Sequence, residues 1–226
     1  MKKNVSIPFL ITGILFVVCL IISNLLATKI VQVGQITTTA ALLVFPIAYI
    51  INDCMVEIWG YKKARLIIWT GFLMNLLFVG FTQLAILLPA ASYWEGDAAF
   101  AFVFGLGPRI VAASFCAFLA GSFLNAYIMS RMKMASKGKH FSVRAIVSTL
   151  AGEGVDSFIF FPIAFFGILG WKELIWMAVT QAILKSLYEV MILPVTVCVV
   201  NRVKKIDQSD TYDNDVSFNP FKISEL

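Results

Sequence analysis

This chain has little charge, one histidine and none of the short motifs that carry catalysis. Of its 226 residues, 14% are charged, and the single histidine, His140, sits in a basic loop. Its four cysteines, Cys19, Cys54, Cys116 and Cys198, form no C-x-x-C pair and fall in separate apolar stretches. That spacing supports neither a disulfide framework nor a metal site, and small buried hydrophobes are the simpler reading. No G-x-x-x-x-G-K-[ST] loop is present, so the chain cannot hydrolyse ATP as a P-loop enzyme. H-E-x-x-H and G-x-S-x-G are absent as well. Neither an enzyme nor a cofactor is indicated. The net charge of +5 reads as a topology signal, not as a footprint for nucleic acid.

What the chain has instead is apolar length. Hydrophobic residues make up 60% of it, and the mean hydropathy is +0.87. A membrane-spanning helix needs about 20 mostly apolar residues, and six segments qualify: 8–28, 37–59, 66–88, 109–130, 145–168 and 174–200. The expected fold is therefore all-α, a polytopic membrane protein of six transmembrane helices. Lys2, Lys3, Lys62, Lys63, Arg65, the basic run from Arg131 to Arg144, and Arg202 to Lys205 all fall on one side if the spans alternate. By the positive-inside rule that side is cytoplasmic, with both termini there, in a cell (inner) membrane. The first segment reads as a retained helix, since no A-x-A site closes its long apolar run. Residues 1–206 are expected to form one six-helix transmembrane domain. The polar stretch 207–226, with Asp207, Asp210, Asp213 and Asp215, reads as a disordered tail.

Acids inside apolar segments carry the functional information. Asp53 and Glu57 lie in the second segment, Glu153 and Asp156 in the fifth, and Lys185 and Glu189 in the sixth. A charge at the bilayer centre costs a few kcal/mol on insertion scales, and spacings of three or four place each pair on one helix face. Counted at ~1.5 Å per helical residue, Asp156, Lys185 and Glu189 reach the same depth, with Glu153 and Asp53 slightly nearer the cytoplasm. Glu57 is shallow enough to pair with Lys62 or Arg65 at the interface. The alternative is a network that only locks helices, although buried ion pairs give little net stability. Asn24, Asn75, Asn125 and Gln181 add polar lining or helix-to-helix glue. Ala113, Ala117 and Gly121 form a small-residue stripe, facing within the protomer or toward a partner in a homodimer. Basic loop residues can touch membrane lipid. An odd number of spans per half allows a 3+3 inverted repeat, with the acid pairs and Pro46 or Pro162 in the middle span of each half.

Several blocks in order resemble the queuosine precursor transporter family, also called vitamin uptake transporters. They are Ser23-Asn24 with Thr28-Lys29; Phe45-Pro46-Ile47; Asp53, Glu57 and Trp59 to Arg65; Arg109, Ala113-Ser114 and Asn125; Arg144, Ser148-Thr149, Gly152-Glu153, Asp156-Ser157 and Phe160; and Lys185 with Glu189. The resemblance covers nearly all of residues 8–205 and excludes the acidic tail. It implies import of a 7-deazaguanine (preQ0, preQ1 or queuine) for salvage into the tRNA nucleoside queuosine. A carboxylate, Glu153 or Asp156, would accept the base's ring N–H and exocyclic amine together. Asp53 would meet an ammonium. Phe45, Tyr49, Phe160 or Phe161 would stack on the ring, and Asn24, Asn125, Lys185 and Glu189 complete the expected substrate-binding set. The family is also similar to the substrate-binding subunits of energy-coupling-factor transporters, so an ATPase partner stays open, though it is not favoured. A structural membrane protein is the other reading.

Overall fold

The computed structural model describes residues 6–33, 36–105, 108–167, 170–214 and 216–222. Helix α1 (Ile7–Leu26) opens with Pro8 in its first turn and with the Ser6 hydroxyl accepting from the Phe9 amide at 3.4 Å. Proline there suits a turn whose amides have no helical partner. After α1 come strands β1 (Ile30–Val33) and β2 (Ile36–Thr39), an antiparallel hairpin with Ile30 opposite Thr39. A 3-10 turn (Ala40–Leu43) leads into α2 (Phe45–Trp59), then α3 (Tyr61–Leu87) and the short α4 (Asp97–Phe104). The long helices α5 (Pro108–Ala135), α6 (Phe141–Phe165) and α7 (Trp171–Asp207) complete the chain.

Five of these helices, α1, α3, α5, α6 and α7, are long and apolar enough to cross a membrane. The expected second span, 37–59, differs. Its first residues pair in a strand and a 3-10 turn, and α2 has 15 residues. At ~1.5 Å per residue α2 is about 22 Å long, short of a ~30 Å hydrocarbon layer. β-branched Ile30, Val31, Ile36 and Thr37–Thr39 favour the extended hairpin, so the helical fold carries one small hairpin.

The helices alternate in direction. Phe9 near the start of α1 meets Trp59 at the end of α2 edge to face, with ring centroids 5.3 Å apart. The Trp59 indole donates to Asp207 at the end of α7 at 2.5 Å. Both ends of the helical chain thus reach one end of the bundle, where α2, α5 and α7 finish and α3 and α6 begin. Burial is inside out relative to a soluble protein. Leu10, Ile14, Leu76, Phe81, Leu150 and Ile183 are exposed, while Asp53, Glu57, Asn125, Arg144 and Glu153 are buried. Apolar surface turned outward is what lipid solvates, and with five helices long and apolar enough to cross a bilayer it fits a multi-pass membrane location.

The stretch expected to be disordered lies against the body instead. Asp213 is buried and accepts the Tyr61 amide at 2.9 Å and the Ser130 hydroxyl. Arg65 donates to the Ser217 and Asn219 carbonyls at 3.0 and 2.8 Å, and the Trp69 indole donates to that of Pro220 at 2.8 Å. Phe218 and Phe221 pack on Tyr61, Tyr127 and Trp69. A polar tail finds partners here because the bundle end is itself rich in buried donors. Asp215 lies outside the described residues.

Candidate substrate site in the helical bundle

Helix α2 sets the layout. Phe45, Tyr49, Asp53 and Glu57 recur every four residues, one face of one helix, and each marks a successive layer about 6 Å deeper.

The first layer is a cleft of about 420 Å³, lined among others by Asn24, Phe45, Asp156, Phe160, Gln181 and Lys185. It adjoins a second cleft of about 530 Å³ through Asn24, Ala27, Ser114 and Phe160. Lys185 donates to Asp156 at 2.9 Å, and its ammonium stands 3.9 Å from the centre of the Phe45 ring. The depth matching of Asp156 with Lys185 holds. Asn24 donates to Asn75 at 2.9 Å and accepts from Ser114 at 2.8 Å, tying α1, α3 and α5 together. Gln181, expected as polar lining, lines the cleft, and so does Ser114, which was outside the expected substrate-binding set. Their signal was a polar side chain in an apolar run.

Beneath the cleft lies a wholly buried acid layer. Asn125 donates to Asp53 at 2.8 Å, and the Ser148 and Thr149 hydroxyls stand 3.4 and 3.5 Å from the same carboxylate. Glu189 lies near Asp53 and Thr149, with its Oε2 buried and unpartnered. Glu153 has Ser186 at 3.3 Å and its other oxygen unpartnered. Asp53, Asn125, Glu153 and Glu189, with Tyr49 above them, thus form a cluster adjoining the cleft but outside its lining. The site expected as one set is two. Close helix approach builds this layer: a Cβ on Gly152 would stand 2.9 Å from both the Asn125 Cβ and the Gly121 carbonyl oxygen. The stripe of Ala113, Ala117 and Gly121 is buried within the protomer. The Arg109 side chain lies outside the described residues.

The third layer corrects the reading of Glu57. It is 1% exposed and pairs with Arg144 at 2.5 Å, Lys204 at 2.6 Å and Lys133 at 3.9 Å, not with Lys62 or Arg65. Those partners lie far along the chain, so spacing could not reveal them. Asp210 joins this end through Lys133 at 2.6 Å and Lys204 at 2.9 Å. Partial burial works against its charge, but hydrogen bonds from those two ammonium groups hold its carboxyl below the usual aspartate range.

Residues 39–199 match the family described as "Putative vitamin uptake transporter". The chain belongs to the vitamin uptake transporter family. It is 30% identical to the "Probable queuosine precursor transporter" of Bacillus subtilis (strain 168) over 65% of this chain and 64% of that protein. It is 29% identical to the "Queuosine precursor transporter" of Escherichia coli (strain K12) over 63% of this chain and 62% of that protein. The matched region is thus a little under two thirds of the relatives' length. No solved structure matches. The tail that docks on Tyr61 and Arg65 lies beyond the matched residues.

Proposed function

We propose that this chain imports a queuosine precursor, a 7-deazaguanine, and binds it in the cleft beside Asp156 and Lys185. The observation that carries the reading is an acid and an ammonium side by side over aromatic walls. A guanine-like edge presents a carbonyl acceptor next to a ring N–H and an amine. Lys185 suits the carbonyl, and Asp156 suits the two donors as a bidentate acceptor. Phe45 and Phe160 supply ring faces, and Gln181 and Ser114 supply further polar contacts. The similarity to proteins named for this substrate supports the same choice. Glu153 and Asp53 become the layer behind the site instead of its first contacts.

Orientation belongs to the same proposal. Lys133, Arg144 and Lys204 gather at the end where both helical termini meet, and an excess of Lys and Arg marks the cytoplasmic side. With α2 and its hairpin completing a sixth crossing, both termini are cytoplasmic and the cleft lies in the outer half. Discontinuous helices beside a substrate site are common in secondary transporters.

Two variants test the site. Asp156→Asn turns one acceptor into a donor that faces the donor edge of the base. A lost hydrogen bond to a charged group is worth about 1.5–3 kcal/mol, so precursor affinity should fall roughly tenfold to more than a hundredfold. Phe45→Ala leaves the ion pair intact and removes a stacking face worth ~1–3 kcal/mol. The readouts are precursor binding to purified protein and restoration of tRNA queuosine, seen by retarded gel mobility, in a host that cannot make the precursor. Normal binding by both folded variants would refute the assignment.

A further inference from the structure

A further cleft runs along the flank of the bundle, away from the substrate site. It lies between Trp69 of α3, the stretch of α5 from Cys116 to Tyr127, and Phe218 and Phe221 of the docked tail. Among the described residues no charged side chain lines it. Two polar groups of its walls are already spent on the tail's backbone. The Tyr61 hydroxyl donates to the Phe218 carbonyl at 3.0 Å, and the Trp69 indole to that of Pro220 at 2.8 Å. What the cleft offers an occupant is therefore mainly apolar surface and ring faces. A peptide strand laid there would leave amides and carbonyls unmatched, which is costly in hydrocarbon surroundings. An acyl chain leaves nothing unmatched.

The length and polarity of the cleft fit one leaflet of a bilayer. From Cys116 to Tyr127 α5 advances about 16 Å at ~1.5 Å per residue, roughly half of a ~30 Å hydrocarbon layer. Arg131 stands one turn further along, at the basic end. It is exposed, and its guanidinium lies 5.9 Å from the centre of the Tyr127 ring and 5.6 Å from that of Phe218. Behind the wall Arg65 is 0% exposed, with Nε and Nη2 unpartnered. The acids of this end are committed elsewhere. Glu57 and Asp210 are held by Arg144, Lys133 and Lys204, and Asp213 accepts from the Tyr61 amide and the Ser130 hydroxyl. Among the described residues no carboxylate forms an ion pair with Arg65 or Arg131. A buried charge is screened far less than an exposed one, so positive potential collects at the mouth of an apolar slot.

We propose that this cleft holds one anionic phospholipid, its acyl chains along α5 toward Cys116 and its phosphate on Arg131. A headgroup without net charge would leave the two guanidiniums unbalanced. Because Phe218 and Phe221 form one wall, the bound lipid also helps to hold the tail in place. The site stands independently of what the chain transports.

Native mass spectrometry of the full-length protein in detergent tests this, with phosphatidylglycerol and phosphatidylcholine of identical chains as probes. One phosphatidylglycerol per chain should persist at concentrations where phosphatidylcholine is lost. Arg131→Gln, on an exposed side chain, should weaken phosphatidylglycerol roughly fivefold, the worth of one cation near a lipid surface, and leave phosphatidylcholine unchanged. Leu124→Trp, which fills the cleft and touches no charge, should weaken both lipids. Inorganic phosphate should not displace the lipid, since it has nothing to place in the cleft. Equal binding of the two lipids overturns the proposal, as does phosphatidylglycerol binding that ignores both substitutions. Displacement by phosphate also overturns it, leaving a bare anion contact. So does a lipid-free dimer that Leu124→Trp abolishes, which would give the cleft to a second copy of this chain.

Discussion

Glu57 illustrates how much a single side chain can depend on distant partners. Its carboxylate is 1% exposed and meets Arg144 at 2.5 Å and Lys204 at 2.6 Å. Neutralising it would leave Lys133, Arg144 and Lys204, from α5, α6 and α7, with Asp210 as the carboxylate still paired to two of them. Removing one partner of a buried ion pair typically costs about 3–5 kcal/mol. Glu57→Gln should therefore lower the melting temperature of the detergent-purified protein by many degrees, more than Glu95→Gln on the exposed loop after α3. A melting curve unchanged by Glu57→Gln would show that the network contributes nothing to stability. At the cleft, Asp156 has a different task. Its one ammonium partner is also a cleft-lining group, so the pair can open toward a ligand without moving a helix.

At the scale of elements, the α5–α6 crossing decides whether the acid layer exists. Gly121 and Gly152 bring the α5 and α6 backbones together beside Tyr49 and Asn125. A Cβ on Gly121 would fall 2.3 Å from the Tyr49 hydroxyl oxygen and 2.8 Å from the Gly152 carbonyl oxygen. Gly152 and Gly154, two residues and so about 200° apart around α6, give a clean contrast. A Cβ on Gly154 meets nothing within 4 Å. Gly152→Ala should destabilise by ~1–3 kcal/mol through overpacking, while Gly154→Ala should be neutral or gain up to ~1 kcal/mol of helix propensity. Thermal melts of the two proteins side by side check this. Equal effects would mean the crossing tolerates an extra methyl group. Gly60 has a comparable duty between α2 and α3. Its φ of +83° turns the chain, and a Cβ there would stand 2.7 Å from Asp213 Oδ1.

For the whole molecule, the basic end and the tail act as one unit. Asp210 has a carboxyl held below its usual range when folded, so its contribution is present above the unfolded value. That contribution fades as pH falls through the lower, folded one. Acidification below about pH 4 should therefore loosen residues 208–222, read as faster amide exchange there than in α7. Asp210→Asn should show the looser tail already at neutral pH. Exchange in the tail that ignores both changes would remove Asp210 from its anchoring. A second prediction at this scale concerns energy. The chain carries no P-loop. Vesicles containing only this chain should take up precursor without ATP or added subunits, and an obligatory ATPase would favour the binding-subunit reading.

Membrane location, the number of long apolar helices apart from α2, and the burial of the acids set in apolar runs were all legible in the sequence. Each depends on local composition or on spacing within one helix, where hydrocarbon imposes a length and a polarity. The family resemblance was legible for the same reason, since its blocks are runs of neighbours. The four-residue ladder from Phe45 to Glu57 was also written in the chain, yet its meaning was not, because periodicity names a face and not what that face meets. Only the tertiary structure decided that α2 is short and preceded by a hairpin, that Glu57 binds three cations, and that the tail docks. It also separated Asp156 and Lys185 at the cleft from Asp53 and Glu189 behind it. Those outcomes rest on contacts between residues up to 150 or so positions apart. Their energies come from desolvation and hydrogen-bond geometry, which exist only once the helices have packed.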